Sequence, residues 1–102
     1  MDVDLTLTAV ETAAYHVARE ALANVVRHAD ARWCAVRLHR NNGHLILEVE
    51  DDGKGVVPDA PSGIGFQSMH ERPAEVGGRC VIEERPGGGT RVSAVFPLHR
   101  NA

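Results

Sequence analysis

The clearest pattern in the chain is helical. Ala14, Val17, Ala18, Ala21, Leu22, Val25 and Ala29 recur at spacings of three and four, the repeat of one apolar stripe on an α-helix. It predicts a helix over residues 9 to about 29, started by a capping box in which Thr8 stands three residues before Glu11. Ahead of it, alternating Val3, Leu5 and Leu7 predict a short strand with one buried face. Beyond residue 32 the period drops to two. Residues 33–40 are strand-like, Asn41-Asn42-Gly43 has hairpin-turn chemistry, and Leu45, Leu47 and Val49 share one face of a strand over 44–50. From Asp51 to Ser62 no period survives, and a Gly-, Pro-, Asp- and Ser-rich loop of that length is usually functional.

A second helix is expected over residues 65 to about 76, stopped by Gly77-Gly78. Pro73 lies inside it, and an interior proline costs on the order of 3 kcal/mol, so a kink or a break near Arg72 is expected. Residues 79–84 and 90–96 form a last hairpin around Arg85-Pro86-Gly87-Gly88-Gly89. Strand pairs interrupted by helices predict an α+β two-layer sandwich, with both helices on one face of a mixed sheet.

Composition narrows the function more than the fold. At 102 residues, 43% of them apolar and 25% charged, the chain reads as one ordinary globular domain over residues 1–102. The net charge of −3 and scattered basic residues argue against a nucleic-acid partner, which needs clustered Lys and Arg. Cys34 and Cys80 show neither metal nor framework spacing, consistent with a reducing interior. No apolar run reaches the roughly 20 residues of a membrane span, and acidic Asp2 and Asp4 stand where a secretory signal would be basic. The abrupt start suggests a piece cut from a larger protein.

Four segments could carry chemistry. On the first helix Glu20, Asn24 and Arg27 fall within about 60° of one another, with His16 and His28 at the margins. Such a stripe offers oxygens to a hard cation and a guanidinium to phosphate, or is simply a solvated face. Asp51 ends an apolar strand and is followed by Gly53 and Gly55, which let a ligand approach the backbone; the plain alternative is an acidic turn. Gly63-Ile64-Gly65 opens the second helix, where free amides suit phosphate, or where a loop merely meets a helix. Gly87-Gly88-Gly89-Thr90 is either a flexible hairpin tip or a means of aiming the Thr90 hydroxyl. His39, His44, His70 and His99 lack metal spacing, and Ser62 and Ser68 have no hydrolase partners.

Together, and in this order, the segments resemble the catalytic ATP-binding domain of bacterial sensor histidine kinases, within the GHKL ATPases and nearest the NarL/DesK type. Residues 15–29 (YHVAREALANVVRHA) look like the N box, 50–55 (EDDGKG) like the first glycine box, 63–72 (GIGFQSMHER) like the second, and 86–92 like the terminal Gly-Thr segment. The resemblance implies the Bergerat (GHKL) fold and a site for Mg-ATP. Asn24 would hold Mg²⁺ and Glu20 would assist phosphoryl transfer. Arg27 and His28 would meet phosphates, and Asp51 the adenine amine, with Thr90 nearby through water. Gly53, Gly55, Gly63, Ile64 and Gly65 would shape the pocket and its lid.

It further implies a cytoplasmic location, either of the whole kinase or of the cytoplasmic part of a membrane-anchored one. The implied partners are a histidine-bearing dimerisation domain of the same kinase and, indirectly, a response regulator. This piece would be a monomer that makes no membrane contact and has no phosphoacceptor histidine of its own. The alternative is an anti-sigma-factor-type GHKL serine kinase or binding module.

Overall fold

The computed structural model describes residues 5–54 and 66–98. Val3, Gly55, Gly63, Ile64, Gly65 and His99 lie outside the described residues. Helix α1 runs Leu5–Asn24 and continues as a π-helical turn, Val25–Ala29. Strands β1 (Cys34–Asn41) and β2 (His44–Asp51) follow, then helix α2 (Phe66–Ala74), β3 (Arg79–Glu84) and β4 (Thr90–Pro97). The α+β two-layer reading holds.

The strand expected around Leu5 and Leu7 is instead the first turns of α1. Leu7 lies three residues before buried Val10 and so extends the helical repeat. A helix satisfies its backbone locally, whereas a strand needs a neighbouring edge. Thr8 consequently sits inside the helix, where its carbonyl accepts the Thr12 hydroxyl at 2.9 Å. Leu22, assigned to the buried stripe by spacing, is 39% exposed, because the buried line runs Val10, Ala14, Val17, Ala21 and Asn24 and Leu22 is rotated about 100° from it.

The described sheet has the order β1-β2-β4-β3 and is antiparallel at every pairing, not mixed. β2 and β3 both run against β4, so they point the same way with β4 between them. That is a split crossover, and it places α2 across the sheet. On the helix side Leu47, Val49, Val92, Ala94 and Phe96 join Val10, Val17 and Met69 in one core. The β1–β2 turn forms where expected, with Asn42 at φ 49° and Gly43 at φ 76°, the left-handed pair of a type I′ hairpin.

Helix α2 does not break at Arg72. It runs through Pro73 to Ala74, and Glu75 N still donates to Glu71 O at 3.2 Å. Near a C-terminus proline removes one ladder donor, while here its ring is fully buried and its carbonyl accepts Val76 N at 3.1 Å and Gly78 N at 2.8 Å. Together with Gly77 N donating to Ala74 O at 3.1 Å, this is a Schellman stop, at the glycine pair where the sequence predicts one.

Candidate functional site

The sheet register brings Asp51 and Thr90 together. They are direct partners on β2 and β4, and period-two alternation turns both to the helix side. Cys34 on β1 and Glu84 on β3 complete the same row. Asp51 is 4% exposed, and its Oδ1 accepts the Gly53 amide at 2.8 Å. Thr90 is 5% exposed, and its hydroxyl has no partner among the described residues. A buried hydroxyl is rarely left unpaired in a native protein. Its position beside a buried carboxylate marks a place for a polar ligand or a bridging water.

Gly89 makes this end of the sheet possible. Its φ is +101°, and a Cβ there would fall 1.9 Å from Asp51 O. The glycine-rich turn is therefore a tightly fitted element and not a loose tip. Arg85 N donates to Gly89 O at 3.0 Å and Gly88 N to Arg85 O at 3.1 Å, closing the turn behind Thr90.

The α1 residues divide by depth. Asn24 is buried on the core line, Glu20 is half-buried at the rim, and Arg27 is exposed. Asn24 closes the regular helix without a side-chain capping bond, and the wider π-helical turn follows immediately, a feature frequent at functional sites. The side chain of His28 lies outside the described residues. Asp30 ends the segment at φ 55°, ψ 39°, a left-handed conformation that Asp tolerates. Among the described residues no cluster of three or more His, Cys, Asp or Glu could hold a metal by itself. A Mg²⁺ ion needs only one or two protein oxygens when phosphates supply others, so the Asn24 amide oxygen fits that role.

Several contacts were not visible in sequence. His16 Nε2 and Ser68 Oγ share a hydrogen bond that ties α1 to α2. Asp52 Oδ1 accepts the Trp33 and Arg32 amides at 2.8 and 2.9 Å. Those bonds, Trp33's foremost, hold its carboxyl below the usual aspartate range. Glu50 alternates with Asp51 and so lies on the opposite face, yet it is only 8% exposed. Arg91 Nε reaches it at 2.6 Å, Arg37 Nη1 at 3.4 Å and Arg85 Nε at 4.0 Å. The Arg91 hydrogen bond, with help from Arg37, holds the Glu50 carboxyl below its ordinary value. These partners lie 13 to 41 residues apart in the chain, and only the register reveals them. An apolar groove of about 250 Å³ between α1 and the β1–β2 hairpin, lined by Ala14, Tyr15, Ala18, Val36, Leu38 and Leu47 among others, contains none of these site residues.

Residues 9–100 match the family described as histidine kinase-, DNA gyrase B- and HSP90-like ATPase. The chain belongs to this ATPase family. It is 31% identical over 93 residues to the sensor protein VraS of Staphylococcus haemolyticus and 30% identical to that of Staphylococcus aureus. Each match takes in 89% of this chain but 27% of the relative, so the chain spans about a quarter of those proteins' length. Among solved structures, the blue-light activated histidine kinase of Erythrobacter litoralis superposes with a TM-score of 0.67 at 26% identity, over 80% of this chain and 28% of that one. The ATP binding domain of PrrB from Mycobacterium tuberculosis superposes with a TM-score of 0.68 at 22% identity, over 91% and 69% respectively, which supports the ATPase fold alone.

Proposed function

We propose that this ATPase-family domain binds Mg-ATP between the end of β2 and the α1 stripe and, within the intact protein, serves the phosphorylation of a histidine. The observation that carries the reading is the buried Thr90 hydroxyl beside Asp51, which has no partner among the described residues. Asp51 accepts the exocyclic amine of adenine, and Thr90 completes the contact through water. Asn24 offers its amide oxygen to Mg²⁺, which when bound neutralises phosphate charge. Arg27 and His28 meet the phosphates. Glu20, half-buried one helical turn before Asn24, orients the attacking imidazole or takes up its proton. Gly53 turns the chain out of the site, and Gly55, Gly63, Ile64 and Gly65 would form the lid. Positioning and charge complementarity supply most of the rate, because this domain itself forms no covalent bond with the transferred group.

The acceptor would be a histidine on a separate dimerisation domain, with an aspartate of a response regulator next. His70 does precede a carboxylate, Glu71, but it is exposed on this domain's own short α2. No described helix is long and apolar enough to cross a membrane; the domain would act as a monomer in the cytoplasm, where ATP is supplied. The sensor-protein relatives favour this reading over an anti-sigma-type serine kinase.

Calorimetry with Mg-ATP tests it. Asp51→Asn turns the amine's acceptor into a group that is partly a donor, with an expected loss of about 10- to 100-fold in affinity, the worth of a hydrogen bond to a charged group. Equal affinity of wild type and variant would sink the base-reading role. Transfer of labelled phosphoryl to an added histidine-bearing dimerisation fragment tests the destination.

A further inference from the structure

Behind the Asp51–Thr90 pair, on the face of the sheet that carries Glu50, one side chain joins three separate segments. The side chain of Arg85 is 25% exposed. Its Nη1 donates to the backbone carbonyl of Asp51 at 2.9 Å, its Nε lies 4.0 Å from Glu50 Oε2, and its guanidinium stacks 5.0 Å over the Trp33 ring. Trp33 is in turn pinned through its amide to Asp52 at 2.8 Å. The carbonyl that Arg85 holds is the one against which Gly89 packs. One guanidinium thus ties the loop before β1, the last residues of β2 and the glycine-rich turn before β4.

From this geometry we infer that Arg85 is a positioning residue for base recognition, clamping the Asp51 backbone from behind so that its carboxylate meets the adenine amine in one fixed orientation. The inference rests on the base-reading role proposed for Asp51. Arg suits the task where Lys does not: a planar fork can donate to a carbonyl, face a carboxylate and stack on an indole at once, whereas an ammonium cannot stack in that way. The clamp acts on orientation more than on gross affinity. A carboxylate free to swing loses its preference for an amine over a carbonyl oxygen, while the phosphate and Mg²⁺ contacts proposed for Asn24 and the π-helical turn after α1 are left in place.

The test compares Mg-ATP with Mg-ITP, in which a carbonyl oxygen replaces the exocyclic amine. Both are titrated calorimetrically against wild type, Arg85→Met, Arg85→Lys and Asp51→Asn, with thermal unfolding of each variant recorded. Arg85→Met is expected to weaken ATP binding about tenfold, the worth of one charge-assisted hydrogen bond. ITP binding should change little, so that the ATP-to-ITP ratio collapses. Arg85→Lys should recover part of the ratio, and it decides the matter if the Met variant does not fold. Equal weakening of both nucleotides, or an unchanged ratio, would show Arg85 to be structural only and overturn the inference. If Asp51→Asn loses selectivity while the Arg85 variants keep it, the inference fails and the base-reading role survives. If wild type shows no preference for ATP, the base-reading role falls and takes the inference with it.

Discussion

Adding one methyl group at Gly89 should do far more damage than adding the same group at Gly88. Both residues have positive φ, +101° and +112°, so alanine at either incurs the backbone cost of an unfavourable region, about 1–3 kcal/mol. They differ in surroundings. At Gly88 an added Cβ meets nothing within 4 Å, whereas at Gly89 it would lie 1.9 Å from Asp51 O, 2.9 Å from Asp51 C and 3.0 Å from Asp52 Cα. All three are backbone atoms that no rotamer change can move. The β2 end must retreat by more than an ångström, which breaks the Arg85 bond to that carbonyl and loosens the Asp51–Thr90 pairing.

Losing one or two such hydrogen bonds adds about 1–3 kcal/mol. Gly89→Ala should therefore cost about 2–6 kcal/mol and Gly88→Ala about 1–3 kcal/mol, the shared backbone cost leaving a difference of about 1–3 kcal/mol, against a total stability of about 5–15 kcal/mol for a small domain. Urea unfolding followed by circular dichroism measures both, and Mg-ATP titration under native conditions should find only the Gly88 variant near wild type. Similar midpoints for the two variants would refute the argument that close approach to Asp51, and not flexibility, is why glycine stands at position 89.

Two further outcomes follow from the ionisable groups. Because Arg91 and Arg37 hold Glu50 below its ordinary value of 4.5, its contribution to stability is fully present above that pH and is lost as pH falls through the lower folded value. Glu50→Gln should therefore lower the denaturation midpoint at pH 7 and flatten its decline below about pH 4.5 relative to wild type, as read by urea midpoints across pH; parallel pH profiles would contradict the pairing. Burial pushes the Cys80 thiol up to about 11, and burial together with Asp51 raises that of Cys34. At pH 8 a disulfide reagent should leave Cys80 unmodified until the protein is unfolded, and rapid modification of both thiols in the native state would show the β3 core to be open.

Much of this protein could be read from residue order because the relevant interactions are local. The α1 repeat, the Asn42-Gly43 turn and the Gly77-Gly78 stop each depend on neighbours within about one or two helical turns, so composition and spacing predict them. Asp51 is conspicuous for a related reason, as a carboxylate that ends an apolar strand. Asn24 stands out in the sequence only by its spacing from Glu20 and Arg27, and the fold places it on the buried line.

The features that residue order leaves open have the opposite cause. Whether Leu5 and Leu7 form strand or helix turns on whether a sheet edge is available to them, which alternation alone does not specify. Pro73 reads as a breaker until its burial and doubly accepting carbonyl are seen. The contacts of Arg85 with Trp33, Glu50 and the Asp51 carbonyl, and the packing of Gly89 on that carbonyl, could not be inferred from order at all. Pairing β4 with β2 sets residues 39 or more positions apart against one another, and a shift of that register by one residue would send strand side chains such as Glu50 or Arg91 to the other face. The residue string is enough to indicate an ATPase-type site, while the orientation of its carboxylate is settled only when the strands meet.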